Sequence, residues 1–215
     1  MINVMLVDDH DLVRNGIRRL LDDISGIKVV AEAGNGEQAV RQVRNRRPDV
    51  ILMDVSMPGI GGLEATRKIT RSLPDMKIIA VTIHDDDPFP ARLLEAGAAG
   101  YITKGCDIRE IISAIRSVHQ GQQYITPRIA QKLALSFVNN RDKSPFAGLT
   151  PRETQVMLMV VKGYTNKEIS EQLCLSPKTT STYRYRLFEK LDVDNNVELT
   201  CFAIRHGLIK ENIIH

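Results

Sequence analysis

Short apolar runs alternate with amphipathic stretches over the first 120 residues of the chain. The runs have the length and composition of buried strands, and the stretches between them have the periodicity of helices. Five strands alternating with five helices predict an α/β doubly wound domain, a parallel sheet of strand order 2-1-3-4-5 with helices on both faces. The predicted strands are Ile2–Val7, Ile27–Ala33, Val50–Met53, Lys77–Val81 and Ala99–Thr103, and the predicted helices are Asp11–Ile24, Gly36–Arg47, Gly62–Leu73, Asp87–Ala96 and Asp107–Gln120.

Four of these strands end in polar residues that are typical of a site. In the predicted order their carboxyl ends lie side by side, where open α/β sheets place ligands. The residues at these ends are Asp8 and Asp9, Asp54, Thr82 and Lys104. Three carboxylates close together repel one another unless a cation lies among them, and oxygen ligands favour Mg²⁺. The sequence therefore predicts a magnesium site at this edge of the sheet.

Asp54, which directly follows the fully apolar run Val50–Met53, is the predicted phosphoacceptor. In this hypothesis its carboxylate attacks a phosphorus atom in line. The metal and Lys104 neutralise the charge on the phosphoryl oxygens, and the Thr82 hydroxyl bonds to one of them. Turn residues after Asp54 expose the backbone, so the Ser56 carbonyl is expected to complete the metal shell.

Each of these residues also has a plainer interpretation. Asp8 and Asp9 would serve equally well to cap the following helix, and a single loop lysine such as Lys104 is usually solvated. We expect His84, two residues past Thr82, to be an ordinary exposed loop residue rather than one that influences an attacking water, and His10 to pack or cap near the first helix. Because four strand ends carry such residues together, the sequence favours a phosphoryl and magnesium site over these plainer roles.

Residues 121–147 are predicted to form a linker that contains one short helix. Thr126 is the expected N-cap, and the polar stretch 139–148 has the composition of a flexible hinge. Packing on the first domain and a relay between domains both remain open as the role of the helix. Its apolar residues recur every four positions at Ile129, Leu133 and Phe137.

Residues 148–215 read as a small all-α domain of four helices. Thr150, Thr165 and Ser176 are predicted N-caps of three of them, and Gly207 is expected to end a fourth that begins near Val197. Two short helices joined by a tight turn form a helix-turn-helix. These two helices are predicted at Lys167–Leu173 and Pro177–Leu191.

The second helix of this motif carries cations, hydroxyls and one aromatic residue on the face predicted to be exposed. Cations reach phosphates, and short hydroxyls fit against base edges in the major groove. A merely solvated face is the alternative, but the position in a turn motif favours DNA contact. The candidate DNA-binding residues are Lys178, Thr179, Ser181, Thr182, Arg184, Tyr185 and Arg186.

The segments VDDH, LMDVSMPG, VTIH and GYITK together resemble the signatures of a response-regulator receiver domain, which has a flavodoxin-like fold. The resemblance covers residues 1–119. It implies that Asp54 is the phosphoacceptor, Asp9 a direct and Asp8 a less direct Mg²⁺ ligand, Thr82 and Tyr101 a switch pair, and Lys104 the phosphoryl contact. A half-buried packing role is the alternative for Tyr101. Many receivers have proline after this lysine, whereas Gly105 stands here, and the cis or trans state of that bond stays open.

The stretch LTPRETQVMLMVVKGYTNKEISEQL resembles the start of the four-helix DNA-binding domain of the LuxR/NarL class, and the resemblance covers residues 148–211. The whole chain thus resembles a NarL/FixJ-type response regulator, most nearly the GacA/UvrY/LetA group. This resemblance implies a sensor histidine kinase and promoter DNA as partners, targets that include small regulatory RNA genes, and a homodimer when phosphorylated. Thr180 stands where an apolar residue such as valine is usual, and its hydroxyl can bond back to the preceding turn. The implied dimer contacts, for which ordinary core is the alternative, are Val197, Leu199 and Ala203.

Composition agrees with an intracellular regulator. The net charge is −1 over residues 1–120 and +4 over residues 121–215, a mild basic excess compatible with nucleic acid. Three widely spaced cysteines favour reduced thiols over a disulfide or zinc framework, and the apolar start is too short for a membrane span or signal peptide. We therefore expect a cytoplasmic protein with no membrane partner.

The sequence leaves two other functions open. One is an aspartyl-phosphate phosphotransferase or phosphatase, which needs an acid/base carboxylate two residues after the nucleophile, where Ser56 stands. The other is a DNA-binding protein that works without phosphorylation. Against both, we expect a phosphoacceptor that is no enzyme beyond self-catalysed phosphoryl transfer and slow autodephosphorylation.

Overall fold

The computed structural model describes residues 1–82, 89–127, 129–131, 133, 145–206 and 208. The chain divides into two compact units. The first contains a parallel β-sheet with its helices, and the second contains the helices that follow residue 145.

The sheet of the first unit has the strand order that the sequence predicts. All strands are parallel in the order β2-β1-β3-β4-β5-β6, so the predicted order 2-1-3-4-5 is confirmed. A sixth strand of two residues, absent from the prediction, extends the sheet beyond β5. The strands are β1 (Ile2–Val7), β2 (Ile27–Ala33), β3 (Val50–Asp54), β4 (Lys77–Thr82), β5 (Gly100–Thr103) and β6 (Tyr124–Ile125).

Strand β3 lies at the centre of the unit and is buried along its whole length. Val50 and Leu52 pack into the apolar cluster on one face of the sheet, and Ile51 and Met53 pack into the cluster on the other. This alternation explains why the run is apolar at every position, since each face of the sheet is covered by helices. The polar end of the strand, Asp54, therefore stands beside a rigid core.

Five helices connect the strands. They are α1 (Asp11–Asp22), α2 (Gly36–Arg46), α3 (Gly61–Ser72), α4 (Phe89–Glu95) and α5 (Ile108–His119). Each lies within the predicted range to within two residues at either end, which is the usual uncertainty of a helix boundary. The predicted start of α4 at Asp87 lies outside the described residues, as does His84.

The described part of the second unit from residue 145 onward starts with a short 3₁₀ helix, Pro145–Gly148. Four α-helices follow among the described residues, each with a capped N-terminus. Thr150, Thr165 and Ser176 cap three of them as predicted, and Asn195 caps the fourth. Thr150 and Thr165 form capping boxes with glutamates three residues on, which satisfies backbone N–H groups that a helix start leaves free. The helices are α6 (Pro151–Val161), α7 (Asn166–Gln172), α8 (Pro177–Leu191) and α9 (Asn196–Arg205).

The predicted linker helix is described only in part. Residues 127, 129–131 and 133 have helical backbone, and Ala130 N donates to Thr126 O over 2.9 Å. Ile129 is buried and Leu133 half-buried. Phe137, most of the predicted hinge, and Gly207 lie outside the described residues.

Candidate functional site

The strand ends bring the predicted site residues of the first unit level with one another. Val7 pairs with Met53 and Asp54 with Val81 in the β-ladders, and Lys104 N donates to Thr82 O over 2.7 Å. The residues that follow β1, end β3 and β4, and follow β5 therefore stand at one edge of the sheet.

Lys104 joins two of the carboxylates directly. Its Nζ lies 2.8 Å from Asp8 Oδ2 and 2.7 Å from Asp54 Oδ2. The second oxygen of Asp54 accepts a hydrogen bond from Ser56 N over 3.1 Å. Asp54 is 1% exposed and Asp8 is 5% exposed, so two acidic groups lie almost out of water and one ammonium group compensates both. Charge-assisted bonds of this kind stabilise buried ions only while every partner stays in place.

Burial changes the protonation equilibria of this pair. Burial raises the pKa of Asp54; the hydrogen bond and charge of Lys104 and the Ser56 amide oppose this shift, and the charge of Asp8 adds to it. For Lys104, burial lowers the pKa, but the bonds to Asp54 and Asp8 outweigh burial and leave the pKa raised. The lysine is therefore a fixed cation at neutral pH, beside a carboxylate whose charge is costly.

The same edge offers a set of metal ligands. One ligand atom from each of Asp8, Asp9, His10 and Asp54 can be chosen so that all lie within 4.8 Å of one another. Among the described residues, Asp9 Oδ1 is buried and accepts no hydrogen bond, although His10 Nδ1 lies 3.1 Å away. A buried, unsatisfied carboxylate oxygen among further carboxylates fits a hard divalent cation such as Mg²⁺.

The remaining predicted residues of this site are placed as follows. Ser56 is exposed, two residues past Asp54. Thr82 ends β4 and Tyr101 lies in β5, and both are 0% exposed. Burial of Tyr101 is thus deeper than the half-buried packing considered from the sequence. The backbone of Gly105 is outside the left-handed region, and a Cβ added there would meet no described atom within 4 Å, so the local geometry does not demand glycine.

Two residues that make contacts near the site, Arg14 and Glu37, were not predicted from the sequence. Arg14 of α1 donates to the backbone oxygen of Asp8 over 2.6 Å and to Glu32 of β2 over 3.1 Å. Glu37 of α2 accepts from the amide of Ile60 over 3.0 Å. The bonds from Arg14 to Glu32 and from Ile60 to Glu37 span 18 and 23 residues, so neither has a local sequence signal.

In the second unit, helices α7 and α8 form the predicted helix-turn-helix. The turn passes through Cys174, which has a positive φ of 52°, and Arg152 of α6 donates to the carbonyl of Leu173 over 2.6 Å. The arginine thus ties the turn to the first helix of the domain.

The exposed face of α8 carries most of the predicted DNA-binding residues. Tyr185 is 64% exposed, and burial bears little on its pKa, which hydrogen bonding to Glu189 and the charge of Glu189 raise. Two predicted residues lie further inward. Thr179 is half-buried and bonds to Ser176, the N-cap. The residues exposed on this face are Lys178, Ser181, Thr182, Tyr185 and Arg186.

Arg184 is the second inward residue, and its guanidinium is engaged within the domain. Its Nη2 donates to Asn196 Oδ1 at the start of α9 over 2.7 Å, and its Cζ lies 5.8 Å from the centre of the Phe188 ring. This arginine therefore joins α8 to α9, and the bond to Asn196 holds its side chain towards α9.

Thr180 bonds across the motif rather than to the preceding turn, which was the bond considered from the sequence. Its Oγ1 lies 2.9 Å from Ser170 Oγ of α7, and Ser170 Oγ is also 2.7 Å from Asn166 O. Ser170 Oγ is the donor in both contacts, and because a hydroxyl has one proton, that proton is shared between Thr180 Oγ1 and Asn166 O. The two hydroxyls form a buried polar contact between the helices of the motif.

The three predicted dimer contacts separate into two groups. Val197 is 71% exposed, but Leu199 and Ala203 are both 0% exposed in the core of the domain. Leu199 and Ala203 are thus corrected to core residues, because the inward face of α9 packs on the other helices. Of the three predicted residues, only Val197 is exposed.

The family comparisons agree with both units. The chain matches the response regulator receiver domain over residues 4–116 and the bacterial regulatory proteins of the luxR family over residues 147–203. The chain therefore belongs to the response regulators that combine a receiver domain with a LuxR-type helix-turn-helix, a class of DNA-binding transcription regulators of two-component systems.

Relatives of known name extend this likeness over nearly the whole chain. Response regulator UvrY of Escherichia coli strain K12 is 61% identical over 97% of this chain and 96% of its own length. Response regulator GacA of Pseudomonas syringae pv. syringae strain B728a is 57% identical over 97% of this chain and 98% of its own length. The predicted resemblance to this group is confirmed.

Solved structures show the same architecture. A LuxR-family two-component response regulator from Aurantimonas sp. SI85-9A1 is 41% identical and covers 64% of this chain and 99% of its own, with a TM-score of 0.62. RcsB from Salmonella enterica serovar Typhimurium, bound to promoter rprA with the phosphomimetic BeF3-, has a TM-score of 0.67 and covers 94% and 97% of the two chains, and its 24% identity supports the fold alone. Among the described residues, no helix is both long and apolar enough to cross a bilayer.

Proposed function

We propose that this chain is the switch component of a two-component system, in which a sensor histidine kinase phosphorylates Asp54 and phosphorylation promotes dimerisation and promoter binding. One observation carries the proposal. The Lys104 ammonium bridges Asp8 and Asp54, which are nearly buried at the strand ends, in a chain that also contains a helix-turn-helix.

The residues of the first unit divide the chemistry between them. Asp54 is the phosphoacceptor: a carboxylate oxygen attacks the phosphorus of the kinase's phosphohistidine in line, and as the O–P bond forms the P–N bond breaks and the imidazole leaves. The Ser56 amide holds the other carboxylate oxygen. Lys104 neutralises the charge that arrives with the phosphoryl group. Asp8, Asp9, Asp54 and the Ser56 carbonyl would hold Mg²⁺, which supplies charge neutralisation when bound.

Readout of the phosphoryl group is assigned to Thr82 and Tyr101. The Thr82 hydroxyl moves to bond with the phosphoryl group, and the Tyr101 side chain changes its packing. The added charge thereby shifts the balance between two arrangements of this pair. The aspartyl phosphate is lost by slow autodephosphorylation, so the chain resets without acting as an enzyme on other substrates.

The second unit converts this event into DNA binding. Lys178 and Arg186 reach phosphates, and Ser181, Thr182 and Tyr185 contact base edges. Arg184 and Thr179 also contact DNA once their bonds to Asn196 and Ser176 rearrange. A dimer formed around Val197 places two such helices on two half-sites. We assign residues 1–120 to the receiver, 121–147 to the linker and 148–215 to DNA binding, with small regulatory RNA genes among the targets.

Phosphorylation of purified protein tests the proposal. The full chain is incubated with acetyl phosphate and Mg²⁺, and its intact mass is measured, followed by mapping of the modified residue. We expect a single phosphoryl group on Asp54 and none in Asp54→Asn. Asp75→Asn, which removes an exposed carboxylate far along the sheet from the site, should be phosphorylated like the wild type. Modification elsewhere, or equal modification of Asp54→Asn, contradicts the assignment.

A further inference from the structure

The loop that follows Asp54 is closed by its own hydrogen bonds. Ser56 N donates to Asp54 Oδ1 over 3.1 Å, and Gly62 N donates to Val55 O over 3.1 Å. A Cβ added to Gly62 would lie 2.0 Å from Asp54 O. The start of α3 thus packs directly on the backbone of the phosphoacceptor, and a shift of the loop would move Ser56 relative to Asp54, which β3 holds in place.

Glu37 holds the far side of this loop. Its Oε1 accepts from Ile60 N over 3.0 Å. A Cβ added to the buried Gly59 would lie 2.5 Å from both of its carboxylate oxygens, so the carboxylate lies directly against the loop backbone. Gly59 has a positive φ of 74°, a conformation that glycine adopts without strain.

The part of α2 that carries Glu37 is itself fixed. Asn35, the N-cap, accepts from Gln38 N, and Gln38 Oε1 accepts from Gly34 N, each over 2.9 Å. At Gly36 a Cβ would lie 2.8 Å from Ile60 Cγ1 and 2.9 Å from Gly61 O. Helix α2 therefore begins in close contact with the loop, and Glu37 has a rigid base.

We propose that Glu37 is a positioning residue that fixes the β3–α3 loop and thereby sets the affinity of the acidic site for Mg²⁺. The inference rests on the proposed function, because it assigns Ser56 and Asp54 to the metal shell. Glu37 touches neither the metal ligands nor the phosphoryl group and acts through Ile60 and Gly59.

The effect on metal affinity follows from the geometry. Mg²⁺ demands near-ideal octahedral coordination, so a ligand carbonyl on a loose loop costs ordering free energy at each binding event. Loss of a residue that orients metal ligands typically lowers affinity about tenfold or more. Once the site is saturated, the ligands are in place, and the chemical step should change much less.

Three variants isolate the contact. Glu37→Ala removes the acceptor, and Glu37→Gln retains an oxygen that can accept from Ile60 N. Glu110→Ala is the matched control, since Glu110 also lies in the first turn of its helix, α5, and shares the favourable interaction with the helix dipole. Mg²⁺ binding is measured by calorimetry, and the rate of phosphorylation by acetyl phosphate is measured over a Mg²⁺ series.

We expect Glu37→Ala to need about tenfold more Mg²⁺ for half-maximal binding and half-maximal rate, with the maximal rate within about twofold of wild type. Glu37→Gln and Glu110→Ala should match the wild type. Hydrogen exchange of the Ile60 amide, measured without Mg²⁺, should be faster in Glu37→Ala alone.

Glycine substitutions give an independent test. Gly59→Ala should weaken Mg²⁺ binding as Glu37→Ala does, because the new Cβ displaces the carboxylate. Gly26→Ala imposes the same kind of backbone strain at φ 87°, and the added Cβ would meet no described atom within 4 Å. It should lower stability while leaving Mg²⁺ binding unchanged.

The same measurements distinguish a failure of this inference from a failure of the proposed function. Unchanged Mg²⁺ dependence in Glu37→Ala, with wild-type protein phosphorylated on Asp54, overturns the role of Glu37 alone. A lower maximal rate at unchanged Mg²⁺ affinity also overturns it. Absence of Mg²⁺-dependent phosphorylation in the wild type overturns the proposed function itself.

Discussion

Removing the ammonium group of Lys104 should destabilise the first unit through charge. In Lys104→Met the methionine retains most of the side-chain volume, but the two nearly buried carboxylates of Asp8 and Asp54 lose their shared partner. With that partner gone, burial and the charge of Asp8 raise the pKa of Asp54 further, and one carboxylate must take up a proton or stay ionised at a cost.

The size of the effect follows from the burial of the three groups. Breaking a buried ion pair by removing one partner costs about 3–5 kcal/mol. The Lys104 side chain is 16% exposed, so we expect the lower end, about 3 kcal/mol near neutral pH. In a domain of this size that corresponds to a fall in melting temperature of roughly 10 °C.

The pKa shifts predict how the stability difference between wild type and Lys104→Met changes with pH. A carboxyl group with a raised folded-state pKa favours folding below its unfolded value of 3.8 and loses that contribution as pH rises through the folded value. The raised pKa of Lys104 keeps the ammonium charged until the pH exceeds 10.5. The advantage of the wild type should therefore be greatest between these limits and shrink towards pH 4.

Calorimetric unfolding of the full chain without Mg²⁺, at several pH values, measures this difference. Lys28→Met, at an exposed lysine of β2, is the control for the substitution itself and should change stability little. Added Mg²⁺ should stabilise Lys104→Met, because a cation bound to the native carboxylates shifts the unfolding equilibrium. Equal stability of Lys104→Met and wild type, or a deficit independent of pH, would refute the charge argument.

Three further predictions concern the second unit. Thr180→Val should change the unfolding free energy of the second unit by less than about 1 kcal/mol, because Ser170 still donates to Asn166. A larger loss in chemical denaturation would contradict this account of the contact. Glu153→Gln should lower the unfolding free energy by about 1–2 kcal/mol at pH 7, because Lys190 and Thr150 outweigh burial and hold the pKa of Glu153 below 4.5. This loss should vanish as the pH falls through the lowered pKa, and a loss that is constant with pH excludes the charge contribution. Arg186→Ala should weaken promoter binding and reduce the slope of log K against log salt concentration by the amount expected for about one phosphate contact. An unchanged slope, measured by fluorescence anisotropy, would show that Arg186 does not contact a DNA phosphate.

The sheet and its acidic edge were predictable because their signals are local. A strand such as β3 that is buried on both faces must be apolar throughout, and Asp54 at its end breaks that rule visibly. Strand order then brings Asp8 and Lys104 to the same edge without any knowledge of side-chain contacts. Strand β6 escaped prediction because two residues, Tyr124 and Ile125, carry no periodicity.

The contacts that sequence could not supply join distant elements. Glu37 and Ile60 are 23 residues apart, and nothing near either residue marks the bond. Periodicity also cannot tell a core face from a partner face, since both are apolar at the same spacing. For that reason Leu199 and Ala203 were grouped with Val197, although only Val197 is exposed.

Promoter binding and sedimentation of the full chain, with and without acetyl phosphate and Mg²⁺, test the central claim most directly. We predict that phosphorylation raises both the dimer fraction and the affinity for promoter DNA in the wild type, and that Asp54→Asn shows neither change. Wild-type protein that carries a phosphoryl group on Asp54 yet shows the same affinity and the same sedimentation as the unmodified protein would contradict the switch.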